Sequence, residues 1–173
     1  SYSAAAYCVD ATDPTPTATL GGGSYASTAG LSINSTTGAI DVSASTPGTY
    51  TVTYLTAGTC PNSSTESVTI NALDDASFSY AAAAYCVDAT DPTPTATLGG
   101  GTYASTAGLS INSTTGAIDV SASTPGTYTV TYLTAGTCPN SSTESVTINA
   151  LDDASFSYAA TAYCVDATDP SPT

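Results

Sequence analysis

The chain has 173 residues, with 14 Asp plus Glu and no Lys, Arg or His, giving a net charge of −14. A chain without cations is a poor partner for nucleic acid or an anionic membrane. Without His or Lys, the commonest general base and the Schiff-base and phosphate-binding lysines are missing, which argues against an enzyme.

Charged residues make up 8% of the chain, against about 25% in typical soluble domains. Hydroxyls take their place, with 16 Thr and 10 Ser in residues 79–156. An apolar content of 41% with 12 Tyr separates the chain from the apolar-poor, highly charged signature of disorder. Aligning Ser1 with Ser79 and Ser157 exposes an internal repeat of 78 residues, in which the first two copies differ only at Ser3/Ala81 and Ser24/Thr102. The sequence therefore divides into a first repeat at 1–73 with a truncated first strand, a second at 74–151, and the start of a third at 152–173. It reads as an excerpt of a longer array. The apolar run at residues 81–87 is too short to span a bilayer.

Taken in chain order through the second copy, period-two alternation between turn signals predicts strands at 76–80, 94–98, 102–106, 109–112, 117–121, 126–134 and 143–148. The breaks carry turn chemistry: Asp91-Pro92, three consecutive glycines from Gly99, Thr115-Gly116, Pro125-Gly126 and Cys138-Pro139-Asn140. In the stretch GTYTVTYLT, Tyr128, Val130 and Tyr132 point one way and Thr127, Thr129 and Thr131 the other, so one face is core and one is wet. Seven short strands and no helical period predict an all-β chain of tandem immunoglobulin-like β-sandwiches. Tyr50 and Tyr128 fall two places after a glycine at the start of the penultimate strand, where such sandwiches carry a tyrosine corner.

The runs YCVDATDPTPTATLGGG, STAGLSINSTTGAIDVSASTPGTYTVTY and GTCPNSSTESVTI together resemble the Ig-like repeats of very large Bacteroidota surface adhesins and gliding-associated proteins exported by type IX secretion. The resemblance implies an extracellular or cell-surface array with adhesive or scaffolding duty. It supplies no catalytic residue.

Two cysteines per repeat, Cys8 with Cys60 and Cys86 with Cys138, imply an oxidising compartment. Cys164, in the partial third copy, would pair outside the excerpt. Two pairings fit the spacing: one within each repeat, as Cys86 with Cys138, and one across the linker, as Cys60 with Cys86. The first is expected here, because the GTCPN cysteine sits in the hairpin between the last two strands, near where the chain enters the domain. Closing that loop would stabilise a domain by roughly 3 to 5 kcal/mol. Two cysteines without His do not complete a zinc site.

Asp74 and Asp75 at the linker, with Asp88 and Asp91 after the cysteine, are the candidates for a structural Ca²⁺ at the junction; no other cofactor is expected. Asn34, Asn62, Asn112 and Asn140 each open an Asn-x-Ser/Thr sequence and are candidate glycosylation sites, the alternative being ordinary turn chemistry. The functional expectation is a structural extracellular fibre or stalk whose partner is itself, repeat to repeat or subunit to subunit. The alternatives are a module binding surface glycans by avidity and a pilin-like subunit polymerising by strand donation through residues 157–173.

Overall fold

A computed structural model describes residues 1–172. Among them the regular structure is all β, in two sandwich units joined in tandem, with no helix. The first unit comprises β1 (Ala6–Cys8), β2 (Ser24–Ser27), β3 (Ser32–Ile33), β4 (Ile40–Asp41), β5 (Gly48–Leu55) and β6 (Ser63–Asn71). The second comprises β7 (Phe78–Ser79), β8 (Ala84–Cys86), β9 (Thr95–Ala96), β10 (Thr102–Ser105), β11 (Ser110–Ile111), β12 (Ile118–Asp119), β13 (Gly126–Leu133) and β14 (Ser141–Asn149).

Each unit is built on a four-stranded sheet, in the orders β1-β6-β5-β2 and β10-β13-β14-β8. Its centre is a long antiparallel hairpin, with Gly126 opposite Ile148 and Leu133 opposite Ser141 in the second unit. Two-stranded ribbons, β3–β4 in the first unit and β11–β12 and β7–β9 in the second, form the opposing layer. The outer strands β1 and β8 run parallel to β6 and β14, and sequence pattern did not predict them. Each has three residues, too few for alternation to register.

The alternation in GTYTVTYL places the core as expected: Tyr128, Val130 and Tyr132 are buried against Val146 and Ile148, with Ile118 and Val120 from the facing layer. On the wet face the hydroxyls of Thr127 and Thr147 hydrogen-bond across the strands at 3.0 Å. The Tyr128 hydroxyl donates to the Thr124 carbonyl at 2.6 Å, and Tyr50 donates likewise to Thr46 at 2.5 Å. Between β11 and β12, the Asn112 side-chain oxygen accepts from the Thr114 and Thr115 amides, and Gly116 closes the turn at φ +71°, a conformation a Cβ would strain.

The units have nearly one sequence yet do not pack alike. Tyr103, Leu109 and Tyr132 are buried in the second core, whereas their counterparts Tyr25, Leu31 and Tyr54 are only partly covered in the first. The difference lies at the entrance of the second unit, in the segment that ends at Phe78. In the second unit Phe78 packs edge-on to Tyr103, with ring centroids 5.7 Å apart, and against Tyr132 at 5.8 Å. Residues 152–172 form no strand and are exposed throughout, with Phe156 at 71%.

Candidate functional site: the junction between the repeats

The chain leaves the first unit at Asn71 and meets the second unit three residues later. The Asp74 amide donates to the Cys138 carbonyl at 2.8 Å. One Asp74 carboxylate oxygen accepts from the Thr134 hydroxyl at 2.8 Å and the Gly136 amide at 2.9 Å; the other accepts from the Cys138 amide at 3.5 Å. The Asn140 side-chain amide returns a bond to the Asp74 carbonyl at 3.1 Å, and the Ser142 hydroxyl bonds the Ala76 carbonyl at 2.6 Å. Residues 74–76 thus run along the tip of the β13–β14 hairpin, with Ala76 and, beyond it, Phe78 buried.

A covalent bond closes the same junction. Cys8 of the first unit is joined to Cys138 of the second, with a Cα–Cα distance of 5.6 Å across a sequence separation of 130. This corrects the expected pairing within a repeat. Cys8 lies opposite Asn71, at the end of β6 where the chain departs, whereas Cys60 precedes the start of that strand. The nine-residue β6 puts the two roughly 27 Å apart, while a disulfide needs Cα atoms within about 7 Å. The second unit separates Cys86, opposite Asn149, from Cys138 in the same way. The linker pairing of Cys60 with Cys86 does not form either: both are exposed thiols, as is Cys164. The spacing along the chain contains this information only once the parallel outer strand is recognised, because that strand carries the cysteine to the departing end.

The four calcium candidates are not brought together. Asp74 serves the hairpin tip, Asp75 accepts from the Ser77 hydroxyl at 2.6 Å and its amide at 3.0 Å, and Asp91 accepts from the Val120 amide at 3.0 Å. Asp88 is exposed. Among the described residues no three His, Cys, Asp or Glu side chains gather where they could hold a metal ion. The carboxylate oxygens are instead matched to N–H and O–H donors, which in a chain without basic side chains are their main means of charge stabilisation. The Ser77 hydroxyl, then its amide, holds the Asp75 carboxyl below its ordinary range; the Ala122 amide, then the Ser121 hydroxyl, does the same for Asp119.

Asn34, Asn62 and Asn112 are exposed. Asn140 is half-buried, and its side-chain nitrogen is engaged by Asp74. A glycan on that nitrogen would leave it a single N–H and have to fit at the junction, whereas its counterpart Asn62 is exposed.

No protein-family model matches the chain, and no curated protein sequence does. Among solved structures it is similar to human CDH23 EC21-23, at 16% identity over 97% of this chain and 81% of that one, with a TM-score of 0.36. Mouse Cadherin-23 EC22-24 matches at 14% identity over 88% of this chain and 64% of that one, TM-score 0.34. Mouse clustered PcdhgC3 EC1-3 matches at 12% over 88% and 67%, TM-score 0.33.

Proposed function

We propose that the chain is a structural segment of an extracellular array, in which near-identical sandwiches are locked end to end into a stiff fibre or stalk. The observation that carries this reading is the Cys8–Cys138 bond, which spans two units rather than bracing one. A bridge between neighbours fixes their relative placement and requires an oxidising surrounding, outside the cytosol. The Asp74 bonds add a second, non-covalent restraint at the same place. The resemblance of its motifs to Bacteroidota surface repeats supports the same role at a cell surface, with adhesion belonging to the array rather than to any one unit.

Small-angle scattering of the oxidised and reduced chain tests the reading. A single extended distance distribution that broadens on reduction is expected. Two units tumbling independently in the oxidised chain, or saturable binding of a sugar by one isolated repeat, would overturn it in favour of a glycan-binding module.

A further inference from the structure

Each four-stranded sheet turns one face to the core and one to solvent. On the solvent face of the second unit the register sets Thr127, Thr129 and Thr131 of β13 beside Thr147, Ser145 and Thr143 of β14. The first unit repeats the array at Thr49, Thr51 and Thr53. No carboxylate stands on this face in either unit. The glutamates of the long strands, Glu66 and Glu144, lie opposite Val52 and Val130 and so take the core-facing side, while the other acids of the two units fall in loops, on the ribbons or at the linker. Several of the hydroxyls already have partners in the sheet. Thr49 bonds Thr69 and Thr127 bonds Thr147 across the strands at 3.0 Å, and the Thr28 and Thr106 hydroxyl oxygens accept the Thr51 and Thr129 amides at 3.2 Å. Covering such groups strands fewer polar atoms than covering free hydroxyls would. At the hairpin-tip end of the face Leu55 and Leu133 are each 47% exposed, one apolar contact per unit.

We infer that this face is where two copies of the chain meet side by side, sheet against sheet. In a chain of net charge −14 without a cation, copies repel wherever acids face one another, and a sheet surface free of carboxylates is the place where that repulsion is least. The same neutral patch on both partners is self-complementary about a two-fold axis. It offers no aromatic ring for a sugar to stack on, because Tyr128 and Tyr132 turn inward to the core. By strand spacing each face spans about 400 Å², about half of what one partner gives a standard interface. A single pair of units is therefore held weakly, and the contact strengthens with concentration or with many units acting together. It lies on the flank of the units and does not depend on how they are joined end to end.

Sedimentation equilibrium of the chain up to millimolar concentration tests this, in sodium chloride with a chelator and with the exposed thiols capped by iodoacetamide. Reversible dimers and larger species are expected, with association about tenfold stronger in about 0.5 M than in about 0.02 M salt as screening relieves the repulsion. Thr51→Asp with Thr129→Asp should weaken it by about tenfold or more, since like charges then meet across the contact. The same two charges at exposed positions of the opposing layer, Thr36→Asp with Thr114→Asp, should change it by less than about twofold. If circular dichroism shows that the first pair unfolds the sheet, Leu55→Ser with Leu133→Ser takes its place and should weaken association by about threefold or more. A monomer at every concentration and salt, association that falls as salt rises, equal loss in both aspartate pairs, or loss in Phe156→Asp instead would overturn the inference. So would a monomer that is retained on a neutral polysaccharide matrix and released by Thr51→Asp with Thr129→Asp, which would assign the face to a glycan.

Discussion

The Thr134 hydroxyl donates to the Asp74 carboxylate at 2.8 Å, tying the linker to a hairpin 60 residues further along the chain. The same carboxylate takes the Gly136 and Cys138 amides, so one side chain organises the whole hairpin tip. Asp74→Ala leaves those donors without their charged acceptor at a half-buried position. The second unit should lose about 2 kcal/mol, and the Gly136 and Cys138 amides should exchange with solvent faster, as read by hydrogen exchange. Asp152→Ala in the isolated chain should change neither.

Phe78→Ala empties the seat between Tyr103 and Tyr132. Removing a buried aromatic ring costs about 3 to 5 kcal/mol, here from the second unit alone. Calorimetry should show its transition falling while that of the first unit stays put, and the second unit should then resemble the first in the exposure of these tyrosines.

Cys8→Ser removes the bridge between units. Loop entropy sets an upper bound of about 5 kcal/mol on the loss for a crosslink spanning so long a stretch. The chief change is freedom at the junction, visible as a broadened scattering profile. Cys60→Ser and Cys86→Ser should leave the monomer's profile unchanged.

The tyrosines set an alkaline limit. Burial lifts Tyr2 to about 12, with a smaller push from Tyr25, and burial raises Tyr80 as well. Because the folded pKa exceeds the unfolded value of about 10, the contribution of each is fully present below pH 10 and lost as pH rises toward and through the folded value. Alkaline titration followed by phenolate absorbance should show these tyrosines ionising late and together with unfolding. Tyr80→Phe should remove its share of that dependence, along with the 2.6 Å bond to the Gly116 carbonyl. On the acid side the sign reverses: Asp41, Asp75 and Asp119 are held below 3.8, so their contributions are present above that value and decline as pH falls through the folded pKa.

The sandwich was legible in the sequence because its central hairpin is long and alternates cleanly. Tyr128, Val130 and Tyr132 announce their face, and Thr127, Thr129 and Thr131 the opposite one. The junction was not legible, for two physical reasons. The strand Ala84–Cys86 is too short to carry a period, and without it nothing places Cys86 at the departing end of its unit. Asp74 was visible as an acidic residue at a linker, but a carboxylate that caps amides and one that binds a cation look the same until the donors around it are known. Phe78 was read as strand, while its role in closing the core appears only by contrast with the first unit.

The Cys8–Cys138 bond also determines how a pull on the two ends travels through the molecule. Covalent tension entering at Ser1 runs to Cys8, crosses from sulfur to sulfur, and continues from Cys138 toward the last residues. Residues 9–137, which include both long strands of the first unit and most of the second, lie on a closed loop outside that path. The chain can therefore lengthen under load only by what residues 1–8 and the stretch after 138 release, and most of the sheet structure is spared the strain that would unravel it.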